Sequence, residues 1–197
     1  MNFSYGGAID HWDVSIQRFW KTHIDRYYEY FVLPKKLRNG KVLEIGAEWY
    51  SRHIKEIIAP DSELTLIDIK DASHPDVNLV CYLDHYYQMD MTQRSTKYEN
   101  LVGYFDAVLS LGVLGFFDFN REMCDNYVDN VSKMAKTNGQ AIFKFDVHVM
   151  KTHKYSPSPN ELIEILEKRF VITETDELIE NAQKYIICYC VNSSTLF

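Results

Sequence analysis

The run KVLEIGAEWYSR, residues 41 to 52, constrains the fold of this chain more than any other stretch. Val42, Leu43 and Ile45 make an apolar run of strand length. Gly46 interrupts it, and the residues beyond return to helical spacing, which reads as strand, turn and helix. In open parallel sheets ligands bind beyond the carboxyl ends of the strands, where a glycine lets the backbone come close to them. Gly46 stands at such an end. A second apolar strand, LTLIDI at 64 to 69, ends in Asp68, at the spacing from the glycine where a carboxylate takes a ribose diol. Two strand ends thus face one nucleoside.

The chain has 197 residues, 46% of them hydrophobic and 25% charged, enough for one full core and short for two. A single domain over 1–197 is expected, with an arm and helix over 1–40 leading into a core over 41–197. Lysine and arginine number 21 against 28 acids, a net charge of -7, which argues against broad adhesion to nucleic acid. The basic cluster Lys35, Lys36, Arg38 and Lys41 reads as a solvated loop face. Cys81, Cys124, Cys188 and Cys190 form no CxxC pair and read as reduced core residues. No apolar run approaches the ~20 residues of a membrane span, and no signal-like segment opens the chain, so a soluble, cytoplasmic protein is expected.

The opening MNFSYGGAIDHWD lacks periodicity and is either a mobile flap or a frayed end. From Asp13 to Phe31 apolar residues recur at helical steps, and Pro34 closes that helix; its apolar stripe is expected on the sheet, and His11, Trp12, His23 and Arg26 either serve the structure, the reading favoured for each, or lean over the crevice. Further on, the spacing predicts a helix from Ser51 to Ile58, a short helix over Val77 to Leu83, and a strand from Tyr86 to Met89 ending at Asp90. A strand buried on both faces follows from Tyr104 to Leu111. A helix over Phe119 to Lys136 is predicted to cap at Asn138-Gly139, directly before a strand from Gln140 to Phe145. Ser158-Pro159 opens a helix to Lys168. The strands Phe170 to Thr175 and Lys184 to Val191 close the chain across an acidic connector, the last one returning antiparallel beside its predecessor.

This order resembles the class I S-adenosylmethionine-dependent methyltransferases over roughly Lys41 to Val191. The residues that carry the resemblance are VLEIG at 42 to 46, LIDI at 66 to 69, MDMT at 89 to 92, FDAVLSLGVLGFF at 105 to 117 and KTNGQAIF at 136 to 143. It implies an α/β fold: a Rossmann-like three-layer sandwich with a mostly parallel seven-stranded sheet, an antiparallel last strand and an N-terminal helix. It further implies that Glu44 and Gly46, with Ala47 and Glu48 in the same turn, hold the methionine part of S-adenosyl-L-methionine. Asp68, with Ile69 beside it, takes the ribose hydroxyls; Asp90 and Met91 meet the adenine edge; Ser110 and Leu111 line the methyl-transfer site. The chain departs from the family at Glu48 and Tyr50, where further glycines are usual, and at Gly115-Phe116, where many members have a Glu-His pair. A carboxylate at 48 would repel the pyrophosphate of a dinucleotide, whereas S-adenosylmethionine is a net cation.

Methyl transfer from a sulfonium is an in-line displacement, and an oxygen acceptor wants a base. His148 is the candidate, with Asp146 as its orienting partner and His153 as the fallback; Asp118, His11 and His23 follow. No metal is assigned, because Asp146 is followed by Val147 rather than by the Asn of metal-dependent catechol-type members. The expected activity is methylation of a small-molecule or glycan hydroxyl. Transfer to nitrogen, or an inactive methyltransferase-like scaffold, are the alternatives, and the oligomeric state is left open.

Overall fold

The computed structural model describes residues 40–46, 62–74, 83–94, 98–180 and 183–193. Seven strands form one sheet: β1 (Lys41–Ile45), β2 (Glu63–Asp68), β3 (His85–Gln88), β4 (Phe105–Ser110), β5 (Ala135–Asp146), β6 (Phe170–Glu180) and β7 (Gln183–Asn192). They lie in the order β3-β2-β1-β4-β5-β7-β6. The first five are mutually parallel, while β7 runs antiparallel between β5 and β6. The helices α1 (Arg121–Met134) and α3 (Pro159–Glu167) and the helical turn α2 (Val147–Met150) complete the described core. The helices expected over 13–31 and 51–58, and most of the one expected over 77–83, lie outside the described residues, as does Cys81.

Alternation along the strands divides the buried side chains between two faces. Leu43, Ile45, Val108, Phe143, Phe145, Cys188 and Cys190 pack against Tyr127, Val131 and Met134 of α1 and Leu162, Ile165 and Leu166 of α3. Val42, Leu64, Leu66, Leu109, Ile142 and Ile187 on the other face are buried as well. A parallel sheet covered on both faces explains why its strands read as continuous apolar runs. Cys124, Cys188 and Cys190 are buried free thiols, and burial pushes those of Cys124 and Cys188 up to about 12.

Helix α3 starts where Ser158-Pro159 places it, through a capping box in which Ser158 Oγ accepts from Glu161 N and the Glu161 carboxylate accepts from Ser158 N. Helix α1 corrects the sequence expectation: it ends at Met134, and Ala135 is already extended. Asn138 (φ 64°) and Gly139 form an irregularity inside β5, where the register with β4 shifts between Phe105 and Ala107. The stop comes from a distant residue, since the buried Asn192 amide donates to the carbonyls of Ser132, Ala135 and Lys136. The acidic connector is also corrected. Residues 176 to 180 continue β6, an edge strand on which charge is tolerated, and Glu177 pairs with Lys184 of β7 at 2.6 Å.

Among the described residues, one cation is buried within the sheet. Lys144 is 5% exposed, with its Nζ 4.5 Å from the centroid of the Tyr185 ring. Burial pulls its ammonium down to about 8 against the opposing pull of Asp146. A base whose pKa is depressed on folding holds its proton more weakly than in the unfolded chain, so its contribution makes stability rise with pH from about 8 towards 10.5. The buried thiols act in the opposite direction, but equally in wild type and in Lys144→Met. The difference in unfolding free energy, wild type minus Lys144→Met, should therefore rise by roughly 1 to 2 kcal/mol between about pH 7.5 and about pH 9.5. Urea denaturation of both proteins across that range measures it, and a flat difference would show that the ammonium is not penalised.

Candidate active site

At the end of β1 the backbone of Gly46 takes φ 85°, and its N–H still donates to Ile67 O of β2 at 2.8 Å. A Cβ on this residue would lie 2.6 Å from Val113 Cγ2, which comes from the loop after β4. Glycine is thus required twice, for the left-handed backbone and for the close approach of a neighbouring loop. β1 has β2 on one side and β4 on the other, so successive strands are laid down in opposite directions from it, and a crevice opens at that switch point. A cavity of about 210 Å³ occupies it. Gly46, Asp68, Ile69, Lys70, Asp90, Met91 and Thr92 line it from the β1, β2 and β3 ends; Gly112, Val113, Phe117, Phe119, Met123 and Tyr127 line it from the β4 loop and α1.

Asp68, only 6% exposed, ends β2 with Oδ1 accepting from Lys70 N at 2.8 Å. The turn it starts is tied to β3, where Gln88 Nε2 donates to Ile69 O and the Tyr86 hydroxyl donates to Lys70 O. Burial pushes the Tyr86 phenol up to about 12, with the charges of Asp68 and Asp71 adding to it. Asp90 folds its own turn: Oδ1 accepts from Thr92 N at 2.9 Å and Thr92 Oγ1 at 2.7 Å. What braces this turn comes from α1 and is announced by no local pattern. Asn130 Nδ2 of α1 donates to Met91 O and Gln93 O, and Asn126 Nδ2 donates to Thr92 O. The available signal was spacing, because Met123, Tyr127 and Asn130 recur at helical steps and share one face.

Of the residues matched to a cofactor, Gly46, Asp68, Ile69, Asp90 and Met91 come together on one cavity. Ala47 and Glu48 lie outside the described residues. Glu44 is buried on the sheet face opposite to Leu43 and Ile45, in register with Leu66 and Leu109, and is not part of the cavity wall. Ser110 and Leu111 are buried just behind the wall that their successors Gly112 and Val113 supply. Ser110 Oγ lies 2.8 Å from the hydroxyl of Tyr127, which does line it. Burial drives the Tyr127 phenol up, and the bond to Ser110 offsets part of that rise.

The titratable groups near the end of β5 are bound up in backbone contacts. Asp146 caps α2, its Oδ1 accepting from His148 N at 2.8 Å and Val149 N at 3.0 Å; that oxygen is turned to the amides rather than to the imidazole. His148 is exposed on α2. His153 Nδ1 lies 3.1 Å from Ser156 Oγ. Asp118 accepts from the N–H groups of Lys154, Tyr155 and Ser156 at 3.2, 2.7 and 3.0 Å. Desolvation pushes the Asp118 carboxyl up, but those three donors and the charge of His153 outweigh it and hold it below the usual carboxylate range. None of Asp118, Asp146, His148 and His153 lines the cavity.

No protein-family model and no curated protein sequence matches the chain. Solved structures match it in fold. The N-methyltransferase NodS from Bradyrhizobium japonicum WM9, in complex with S-adenosyl-L-homocysteine, aligns with a TM-score of 0.66 at 18% identity, covering 98% of this chain and 94% of that one. Magnesium protoporphyrin IX methyltransferase (ChlM) from Synechocystis PCC 6803, with S-adenosyl-L-homocysteine bound, aligns at 0.67 and 16% identity over 96% and 90%. Geranyl diphosphate C-methyltransferase from Streptomyces coelicolor A3(2), in complex with Mg²⁺, geranyl diphosphate and S-adenosyl-L-homocysteine, aligns at 0.63 and 9% identity over 89% and 80%. At these identities the likeness is one of fold, and that fold is the Rossmann-like sandwich of the class I methyltransferases.

The Gly46 turn can be tested directly. Gly46→Ala should destabilise the protein by roughly 2 kcal/mol or more, adding a left-handed backbone penalty of about 1–2 kcal/mol to overpacking against Val113. Gly46→Ala with Val113→Ala should recover the packing part alone. Denaturant midpoints of the two variants give the split, and full recovery in the double variant would show that the positive φ carries no penalty.

Proposed function

We propose that this chain, having the class I methyltransferase fold, binds S-adenosylmethionine in the crevice at Gly46 and transfers its methyl group to a hydroxyl of a small molecule. The observation that carries the reading is the cavity where a close-approach glycine turn meets two strand-end carboxylates, Asp68 and Asp90. Carboxylates suit a net cation with a ribose diol and suit a pyrophosphate badly. That NodS, ChlM and the geranyl diphosphate enzyme hold S-adenosyl-L-homocysteine on the same fold supports the choice of cofactor.

When bound, the cofactor supplies a methyl group made electrophilic by its sulfonium. The chain contributes position. Asp68 would accept from the ribose hydroxyls, Asp90 and Met91 would border the base, and the Gly46 turn with the neighbouring Ala47 and Glu48 would hold the amino-acid end, without Glu44, which lies on the other sheet face. Holding an acceptor in line accounts for most of such a reaction's acceleration. For a hydroxyl acceptor, His148 is the proton acceptor we assign, because its imidazole is exposed on the turn that leaves β5. Asp146 holds that turn by its cap. His153 is second in line, since its Nδ1 is engaged with Ser156. The similar structures do not choose the acceptor atom, for one is named an N-methyltransferase and another a C-methyltransferase.

S-adenosyl-L-homocysteine should raise the melting temperature and NAD should not, because a ligand selective for the native state stabilises it by mass action. Calorimetry without binding at millimolar concentration would sink the enzyme reading. Asp68→Ala should stay folded and lose about ten- to a hundredfold in affinity, the equivalent of charge-assisted bonds worth ~1.5 to 3 kcal/mol. His148→Ala should lower the single-turnover rate on a hydroxyl acceptor by about 10² to 10⁴ and leave cofactor affinity intact. Parental rates in both His148→Ala and His153→Ala would remove these two histidines from the mechanism.

A further inference from the structure

Phe117 is 55% exposed although it belongs to a wall of the cavity. Its ring stacks on Phe119, with centroids 5.6 Å apart and planes 20° from parallel, so Phe119 covers one face while the residue as a whole stays more than half exposed. The backbone that carries it is held on both sides. Phe117 O accepts from Phe119 N at 2.8 Å and from Ser156 Oγ at 3.2 Å. The next residue, Asp118, gathers the three successive N–H groups of 154 to 156. A large apolar ring held in the open by this many polar contacts is a surface prepared for a ligand.

We propose that Phe117 determines acceptor specificity by stacking on a flat, unsaturated ring that bears the methylated hydroxyl, and that Asp118 is the residue that positions it. The proposal rests on the cofactor reading above. The groups suited to a nucleoside's polar atoms, Asp68 and Asp90, sit at the β2 and β3 ends, whereas Phe117 belongs to the β4 and α1 side. On that side the described wall offers Phe117, Phe119, Val113 and Met123, and its one side-chain hydroxyl, on Tyr127, is engaged with Ser110. A polyol pressed against such a wall would leave hydroxyls without partners, a penalty that a planar ring escapes. Asp118 and His153, which the sequence marks as candidate bases, thereby acquire another role: they hold the loop whose ring selects the acceptor.

The test uses protein loaded with S-adenosyl-L-homocysteine and two probes, catechol and methyl glucoside, titrated by NMR. Catechol should bind at least about tenfold more tightly than methyl glucoside. Phe117→Ala and Phe117→Leu should each lose most of that preference, Leu because it keeps apolar volume without a flat face, while Phe117→Tyr should keep it. Across the four proteins affinity for S-adenosyl-L-homocysteine should change far less than affinity for catechol, although Phe117 borders the same cavity. Asp118→Ala should weaken catechol binding when Phe117 is present and change nothing further in the Phe117→Ala background, the non-additivity expected when one residue acts through another. Equal binding of the two probes, or catechol binding unmoved by Phe117→Ala, overturns the proposal. So does a loss of S-adenosyl-L-homocysteine affinity in Phe117→Ala as large as the loss of catechol affinity, which would make the ring chiefly a cofactor wall. Wild-type protein that fails to bind S-adenosyl-L-homocysteine overturns the cofactor reading itself, and is seen before either probe is added.

Discussion

The contact between residue 46 and Val113 is the constraint on which the crevice depends. At the switch point the Gly46 turn at the end of β1 meets the loop after β4, and a Cβ there would stand 2.6 Å from a methyl group of Val113. Removing the side chain at 46 lets the loops close on each other and leaves the ligand-facing backbone bare. The cavity follows from that meeting. Its floor is the Gly46 turn, and its two walls are the loops that strand order brings to either side.

Rigidity around the crevice comes from side chains that touch no part of it. Asn126 and Asn130 hold the 90 to 93 turn against α1, and Tyr86 and Gln88 hold the 68 to 70 turn against β3. Each bond saturates a loop carbonyl that would otherwise need water, and each fixes a carboxylate that faces the cavity. Preorganisation of this kind spares a ligand the entropy of ordering the loops that bind it.

Charged side chains near the sheet's carboxyl edge are used chiefly to finish backbone. Asp146 caps α2, Asp90 closes its own turn, and Asp118 joins the β4 loop to residues 154 to 156. Acidic residues gather at strand ends because amides that have lost their ladder partners gather there too. A titratable residue beside a crevice is therefore as ready a cap as a catalyst, and only its bonds separate the two.

The strands, the mostly parallel sheet and the strand ends at which the crevice opens were legible in the residues alone. Doubly buried strands are apolar along most of their length, and the glycine at 46 and the acid at 68 stand at their ends. Local pairs were legible as well, such as the box that starts α3 at Ser158. Interactions between distant residues were not. The end of α1 looked like Asn138-Gly139 because a residue that takes the left-handed backbone, as Asn138 does, serves equally as a helix cap and as a break in a strand; Asn192, far along the chain, bonds the carbonyls where the helix ends earlier. Ser110 and Leu111 sit at the expected strand end, yet the pleat and the turn decide that Gly112 and Val113 supply the wall. Phe117 read as one more apolar residue, since exposure belongs to the assembled surface and not to the residue type. Only the tertiary structure could decide these points, because each depends on which partner arrives from elsewhere in the chain, and local periodicity holds no information about that partner.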